Sequence, residues 1–347
     1  MPVARASPGS STSGARKLER HRQGRPISHL GHFHFLFGRA TASRMFDCTG
    51  STGQRSETWT YDGPAGPQHW GELNPSWQLC NSGKFQSPIN VEPRMLLYDP
   101  RLRRLDAQVP DRVSGRLSNT GNDLVFRVDS AAWNQVNFTG GPFMYGYRLA
   151  EIKLKIGKTN SHGSEHLVDG RAFSAELQLV CYNSDLATSL SKAQRLPYGV
   201  AIISIFAEVN YKDGNDAFRI LVDAASEIQW KGQSTPIPNL KVRAMLPDTS
   251  YYVTYDGSFT QPGCLETVTW VLFNKPIKIQ ASQLNKLRQL QKQQQARSGT
   301  MAEGNIRTPM PLHNRPIRTN INNPSVESLC TMKKDTFYQT NANMMIR

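Results

Sequence analysis

Apolar residues recur at every second position in several short segments near the middle of the chain. The segments at 124–128, 151–156 and 176–180 show this spacing, and the segment at 200–209 is mostly apolar. Because the side chains of a strand alternate between the two faces of a sheet, the spacing predicts strands, and the apolar run predicts one buried on both faces. A further apolar run at 267–273 resembles them, and turn residues separate all five. The sequence predicts a mainly β fold with short helices.

One helix is predicted after these strands. Leu284, Leu287 and Leu290 provide a partial apolar stripe at helical spacing, and Ser282 can cap the N-terminus. The polar run of Gln and Lys that follows is predicted to be exposed. The segment at 299–308 is predicted to be a loop.

The composition changes at both ends of the chain. Residues 1–55 contain nine Lys or Arg and two acids, so their net charge of +7 is half of the total of +14. We predict a disordered basic leader at 1–57, a folded domain at 58–321 and a flexible tail at 322–347. Because half of the excess charge lies in the leader, we predict no nucleic-acid partner.

Composition does not determine the cellular compartment of the protein. No run approaches the ~20 apolar residues of a membrane-spanning helix, so no membrane span is predicted. The apolar patch at 27–37 is interrupted by polar residues and lies late, so no clear signal peptide is present. The number of cysteines is odd, and their spacing shows no paired metal-binding pattern. The five cysteines are Cys48, Cys80, Cys181, Cys264 and Cys330.

Several short motifs occur in a specific order along the predicted domain. They are Gln-Ser-Pro-Ile-Asn at 86–90, Asn-Thr-Gly at 119–121, Gly-Ser-Glu-His at 163–166, Ala-Glu-Leu at 175–177 and Tyr-Asp-Gly-Ser-Phe-Thr at 255–260. Each motif alone is weak, but together they are specific. In these motifs the chain resembles the α-carbonic anhydrases. The resemblance implies a fold built on a large, mostly antiparallel, twisted central sheet.

The resemblance also identifies three positions at which the family holds a catalytic zinc with histidines. Here these positions are Lys153, Lys155 and Gln178. An ammonium group has no lone pair, and an amide oxygen is a poor zinc ligand. We therefore expect no zinc, no other cofactor and no carbonate dehydratase activity. Lysines alternating with apolar residues are also typical of an ordinary solvated strand face, but the flanking motifs favour a vestigial site.

Four further positions match residues near the family's zinc. Asn122 stands at the proton-shuttle position and cannot titrate, while Glu165 and Thr260 match residues that orient the zinc-bound water. Glu176 matches, with Glu165, the carboxylates that support the zinc ligands. Because two cations would face two carboxylates, we predict that the two lysines pair with these two glutamates.

Two features connect the resemblance to secreted proteins. Cys80 and Cys264 match positions that are bridged in secreted members of the family, which implies a disulfide and an oxidising compartment. Asn137 begins an Asn-Phe-Thr glycosylation sequon that also occurs in relatives. Cys181 is expected to be buried and free. Cys330 is a candidate for an intermolecular disulfide, but the sequence leaves open whether Cys48 and Cys330 pair with each other, with a partner or not at all.

Within the family the chain is most similar to the carbonic anhydrase-related proteins of the X/XI class. The segments that support this are 112–115, 137–142, 203–206 and 317–321. Members of this class are secreted, catalytically silent and bind neuronal surface proteins, notably neurexins. The resemblance implies an extracellular protein-binding module at neuronal or synaptic surfaces. The alternative is residual zinc-dependent carbonate dehydratase or weak esterase activity, with Thr260 and the two lysines forming a cavity that holds an anion.

Overall fold

The computed structural model describes residues 58–293 and 300–322. The leader predicted at 1–57, and all but the first residue of the tail predicted at 322–347, lie outside the described residues. Cys48 and Cys330 lie outside them as well. Among the described residues, no helix is both long enough and apolar enough to cross a membrane.

Short strands make up most of the regular structure in the described part of the chain. They are β1 (Asn90–Val91), β2 (Leu97–Tyr98), β3 (Leu105–Gln108), β4 (Val113–Asn119), β5 (Leu124–Val128), β6 (Asn137–Gly140), β7 (Tyr147–Ile156), β8 (Leu167–Val168), β9 (Ala175–Asn183), β10 (Val200–Val209), β11 (Ser234–Leu240), β12 (Tyr252–Gly257), β13 (Val268–Phe273), β14 (Ile277–Ile279) and β15 (Arg318–Thr319).

The helices are short, with one exception of 12 residues. The α-helices are α1 (Trp70–Leu73), α2 (Leu79–Ser82), α3 (Leu190–Ala193), α4 (Asp216–Glu227), α5 (Val242–Met245) and α6 (Ala281–Arg288). Single turns of 3₁₀-helix occur at Gly63–Ala65, Pro75–Trp77, Pro93–Met95, Ala132–Asn134 and Met301–Glu303.

A large sheet of 13 strands organises the described residues, and β1 and β8 form a separate two-stranded parallel sheet. Its main path runs β11-β4-β5-β7-β9-β10-β13-β12-β15-β2, with β6 beside β7, β3 beside β6 and β14 beside β10. Most neighbours are antiparallel, whereas β10 pairs in parallel with β13 and β14, and β15 with β2. The predicted mainly β fold is confirmed, and the sheet is mixed rather than purely antiparallel.

The five segments predicted as strands all lie in the sheet, as β5, β7, β9, β10 and β13. The strand predicted at 151–156 begins earlier, at Tyr147, because Tyr147 and Leu149 are buried and the strand's first part pairs with β6. The run at 200–209 is buried on both faces over most of its length, as predicted.

The two faces of the sheet differ in polarity. One face is apolar, and residues of α4 and α6 such as Phe218 and Leu287 join its core with Ile152 and Leu154. The opposite face carries a second apolar core around Trp270. The polar side chains of β7 and β9 lie on this same face, beside that core. The residues predicted to form a site therefore lie on the second face, inside the protein.

The structure corrects the helical predictions at two places. Helix α4 was not predicted, although Asn215 caps it through a hydrogen bond from the Phe218 N–H and its apolar residues face the core. Helix α6 is capped by Gln280, which forms a reciprocal pair of hydrogen bonds with Gln283, so the prediction of Ser282 as the cap is wrong. Glutamine is not among the residues that usually cap a helix N-terminus, so the sequence did not indicate Gln280 as the cap.

Candidate functional site

The polar side chains lie where two adjacent central strands run side by side. Lys153 and Lys155 project from one face of β7, because their spacing of two residues repeats the strand period. In the register between β7 and β9, Lys153 is opposite Gln178 and Lys155 is opposite Glu176. The strand register thus brings together the three predicted zinc positions and Glu176, one of the two predicted carboxylates.

Lys155 forms the inner end of the site and is fully buried. Its Nζ lies 3.1 Å from Glu165 Oε1 and 3.2 Å from Asp123 Oδ1. It also donates to Tyr61 Oη at 2.6 Å and to the Asn305 carbonyl oxygen at 3.3 Å. Burial alone would lower the pKa of Lys155, but attraction by the two carboxylates outweighs it and raises this pKa well above the ordinary value. Lys155 is therefore a compensated, buried cation.

Lys153 forms the outer end and is 9% exposed. Its Nζ donates to Gln261 Oε1 and lies 3.6 Å from Glu151 Oε2. Desolvation by burial lowers the pKa of Lys153, while attraction by Glu151 only partly opposes this effect and Lys155 adds to it by repulsion. The outer lysine is therefore more weakly compensated than the inner one.

Glu176 is held by a different set of donors from the one predicted. Its Oε2 accepts hydrogen bonds from the backbone N–H groups of Glu165 and His166, both at 2.9 Å. Its Oε1 lies 2.9 Å from His166 Nδ1 and accepts from Ser204 Oγ at 2.9 Å and Gln178 Nε2 at 3.1 Å. Burial acts to raise the pKa of Glu176, but attraction and hydrogen bonds from His166, with a further bond from Gln178, lower it to about 2.

The predicted pairing of the two lysines with the two glutamates is therefore only partly correct. Lys155 pairs with Glu165, as predicted. Glu176 pairs with His166 instead of a lysine, and Lys153 has Glu151 as its acidic neighbour. The reason is the loop at 163–166, because the backbone N–H groups of Glu165 and His166 both donate to the Glu176 carboxylate.

Gln178 completes the site as a hydrogen-bond donor. Its Nε2 donates to Glu165 Oε2 at 2.6 Å and to Glu176 Oε1 at 3.1 Å. The three side chains at the predicted zinc positions thus offer donors, and two of them are lysines. A metal ion requires lone pairs, so this set of side chains does not fit zinc. Within 58–293 and 300–322, no three His, Cys, Asp or Glu residues are grouped as a metal site.

Asp123 links the two ends of the site, and it was not predicted. It accepts from Asn305 Nδ2 at 3.0 Å and from Gln261 Nε2 at 2.5 Å, besides its contact with Lys155. Tyr61 Oη lies 3.2 Å from its Oδ1. Gln261 therefore connects Lys153 to Asp123.

The sequence offered only weak signals for these partners. Asp123 directly follows Asn122 and the Asn-Thr-Gly motif, in a polar segment where an acid is usually exposed. Asn305 and Arg307 lie in the segment predicted as a loop, yet both are buried. Arg307 donates to the carbonyl oxygens of Ser87 at 2.8 Å and Cys80 at 3.1 Å, which fixes this segment beside the site.

The other predicted positions, Asn122 and Thr260, lie beside the site. Asn122 Nδ2 donates to the Trp59 carbonyl oxygen at 2.9 Å. Thr260 is buried in the loop after β12. His166 is fully buried, and besides its contact with Glu176 its Nε2 lies 2.6 Å from Tyr255 Oη.

The predicted disulfide is present in the structure. Cys80 in α2 is bonded to Cys264 in the loop between β12 and β13, 184 residues further along the chain. Cys181 is buried and free, as expected. Asn137 lies in β6, where its Oδ1 accepts from Arg148 Nε at 3.2 Å. Its glycosylation remains a prediction.

An open cavity of about 360 Å³ lies above Lys153. We call it the outer cavity. Glu151, Lys153 and Gln261 line its polar side, and its apolar side includes Phe259 and Leu265. Lys155 does not line it, because Gln261 and the residues around Asp123 enclose the inner end.

Comparison with known proteins gives a consistent result. The sequence model of the eukaryotic-type carbonic anhydrase family matches residues 65–321. The chain is also similar to a protein of Caenorhabditis elegans called putative carbonic anhydrase-like protein 2. The two are 39% identical over 272 residues, which cover 76% of this chain and 79% of that protein.

Proposed function

This chain belongs to the eukaryotic-type carbonic anhydrase family, and we propose that it acts as a binding module without the family's enzymatic activity. The observation that carries this proposal is the set of donors at the predicted zinc positions. Lys153, Lys155 and Gln178 each donate hydrogen bonds to neighbouring side chains. Without zinc there is no activated water to attack carbon dioxide.

The buried charges explain why zinc binding would be costly at this site. Lys155 would have to lose a proton that Asp123 and Glu165 help it to retain. Its conversion to a neutral ligand would also leave these two carboxylates without their cation in a buried environment. A cation already neutralises the acidic groups that a metal ion would otherwise approach.

We further propose that the protein is secreted and carries a glycan at Asn137. The Cys80–Cys264 disulfide supports an oxidising compartment. The sequon at 137–139 supports glycosylation, which requires passage through the secretory pathway. Mass spectrometry of protein secreted by animal cells, before and after enzymatic removal of N-glycans, tests both statements.

The partner that we propose is a protein of the neuronal or synaptic surface, of the neurexin kind. The resemblance to carbonic anhydrase-related proteins of the X/XI class supports this assignment. Cys330 is our candidate for an intermolecular disulfide with the partner. Capture of binding proteins from a neuronal membrane extract, with the full chain and with Cys330→Ser as the matched control, tests it. We expect the chain with Cys330 to retain its partner under denaturing, non-reducing conditions, and the Cys330→Ser variant to lose it.

The alternative is a residual hydratase or esterase. It would use Thr260 and a cationic cavity to hold an anion. The distribution of charge does not favour it, because Lys155 is compensated by two carboxylates and Lys153 lies near Glu151. An anion in the outer cavity would therefore meet one weakly compensated cation beside a carboxylate.

Metal content and hydration activity decide between the two. Purified protein is incubated with a slight excess of zinc, desalted and analysed for metal, and the initial rate of carbon dioxide hydration is measured. We expect far less than one zinc per chain and no rate above buffer. One zinc per chain, together with hydration that acetazolamide inhibits, would overturn the proposal.

A further inference from the structure

We propose that Lys153 is a nucleophilic amine in the outer cavity, where it forms a reversible imine with small aromatic aldehydes. The inference goes beyond a binding role for the protein surface and does not depend on the identity of a protein partner. It rests on the position of Lys153 between a compensated interior and an open cavity.

The two lysines differ in their access to the outer cavity. Lys153 lines the outer cavity, whose volume of about 360 Å³ is sufficient for a small ligand. Lys155, two residues further on the same strand face, has no exposed surface. A small molecule that enters the cavity therefore reaches one of the two amines and not the other.

The two lysine amines also have different hydrogen-bond and ionic partners. Lys153 Nζ donates to Gln261 Oε1, and its nearest carboxylate oxygen is 3.6 Å away, on Glu151. Lys155 has two carboxylate oxygens within 3.2 Å. The ammonium form of Lys153 is thus less well stabilised, and its burial further favours the neutral amine. A lysine that is desolvated beside another cation is a recognised form of activated nucleophile.

The apolar residues of the outer cavity indicate the class of ligand. Leu190, Phe259, Pro262 and Leu265 provide apolar surface in the same cavity. An aromatic ring can bury its faces against this surface while its carbonyl carbon meets the amine. A charged aldehyde such as glyoxylate lacks the ring and would place its carboxylate near Glu151, so the cavity should prefer benzaldehyde.

The reaction is balanced without any oxidant or reductant. Lys153 first releases its ammonium proton to solvent, and the nitrogen lone pair forms a bond to the carbonyl carbon. A proton passes from nitrogen to the former carbonyl oxygen, which gives a carbinolamine. Solvent protonates the hydroxyl group, water leaves, and loss of the remaining N–H proton gives the neutral imine. Hydrolysis by the reverse route returns the lysine and the aldehyde.

The test uses the purified full chain with benzaldehyde at pH 7. Sodium cyanoborohydride traps imines as stable secondary amines, and peptide mass spectrometry measures the initial trapping rate at each lysine. Lys212 is exposed and provides the internal reference. Because the cavity buries the ring, we expect trapping at Lys153 to be at least about tenfold faster than at Lys212. Lys155 should remain unmodified in the folded protein.

A second measurement separates the cavity from simple amine reactivity. The same experiment with glyoxylate gives the ratio of benzaldehyde to glyoxylate trapping at each lysine. We expect a higher ratio at Lys153 than at Lys212, because only Lys153 lies beside the apolar wall. Trapping at Lys153 no faster than at Lys212, or equal ratios at the two lysines, would overturn the proposal. Thermal unfolding of treated and untreated protein shows that the measurement reports the folded state.

Discussion

The inner and outer ends of the site contain the same kind of residue in opposite environments. Lys155 is fully buried and touches two carboxylates, whereas Lys153 borders a cavity and has one carboxylate at 3.6 Å. Their pKa values shift in opposite directions, upward for Lys155 and downward for Lys153. Two lysines with identical spacing on one strand thus acquire different chemistry from the residues that pack around them.

The difference shows how this fold replaces a metal site. At the inner end the cation is part of the structure, because Asp123, Glu165 and Asn305 surround it. At the outer end the Lys153 cation borders the outer cavity and has one carboxylate nearby, at 3.6 Å. The two ends therefore predict different effects on stability when each charge is removed.

The largest expected effect is the loss of the inner cation. Lys155→Met keeps much of the side-chain volume but leaves Asp123 and Glu165 buried without their cation. Breaking a buried pair in this way costs about 3–5 kcal/mol. The free energy of unfolding, measured by urea denaturation with the disulfide intact, should fall by this amount.

Lys153→Met is the matched control for that experiment. It removes the same charge from the same strand face, but its acidic neighbour is more distant. We expect a loss of no more than about 1 kcal/mol, as for weak ion pairs near the surface. Equal losses in the two variants would show that the ends of the site are not different in the way that the structure indicates.

The next largest effect is the dependence of stability on pH through the carboxylate of Glu176. The pKa of Glu176 is lowered from 4.5 to about 2. A lowered carboxyl pKa stabilises the fold above pH 4.5, and the stabilisation is lost as the pH falls through about 2. The shift corresponds to about 3 kcal/mol, which should appear as a decrease in the free energy of unfolding over this range.

Glu176→Gln isolates this contribution. The variant keeps the shape of the side chain but cannot titrate, so it should be less stable than the wild type at pH 7. The difference between the two proteins should shrink as the pH approaches 2. Parallel stability profiles from pH 7 to pH 2 would argue against a lowered pKa at Glu176.

The smallest effect concerns the bridge between the two ends. Gln261 accepts from Lys153 and donates to Asp123. Gln261→Ala removes both hydrogen bonds, and we expect a loss of about 1–2 kcal/mol. Gln194→Ala, in the wall of the same cavity, is the control and should change stability by no more than about 0.5 kcal/mol. A similar loss in both would assign the effect to the cavity wall.

Local patterns predicted much of the fold. The alternation at 124–128 and the apolar run at 200–209 correspond to β5 and β10. Helix α4 was missed because its stripe, from Phe218 to Ala225, lies in a region where strands and turns dominate the pattern. The cap of α6 was missed because Gln280 forms it through a reciprocal pair of hydrogen bonds.

The candidate site was predictable in its residues but less so in its contacts. The motifs identified Lys153, Lys155 and Gln178 as neighbours, and the structure places them on facing positions of β7 and β9. Asp123 and Asn305 were not identified, because a polar residue in a turn or loop is usually solvated. Their burial depends on segments that are remote along the chain.

The sequence by itself determined that ammonium groups occupy two neighbouring positions on one strand face, since both the residue type and the period of two are local properties. It also determined the mainly β fold and, through the family resemblance, the disulfide. Only the tertiary structure decided that Lys155 pairs with Asp123 and lies against Asn305, which are 32 and 150 residues away along the chain. Electrostatic environment depends on distance in space, which is why the two lysines could be located from the sequence but not distinguished.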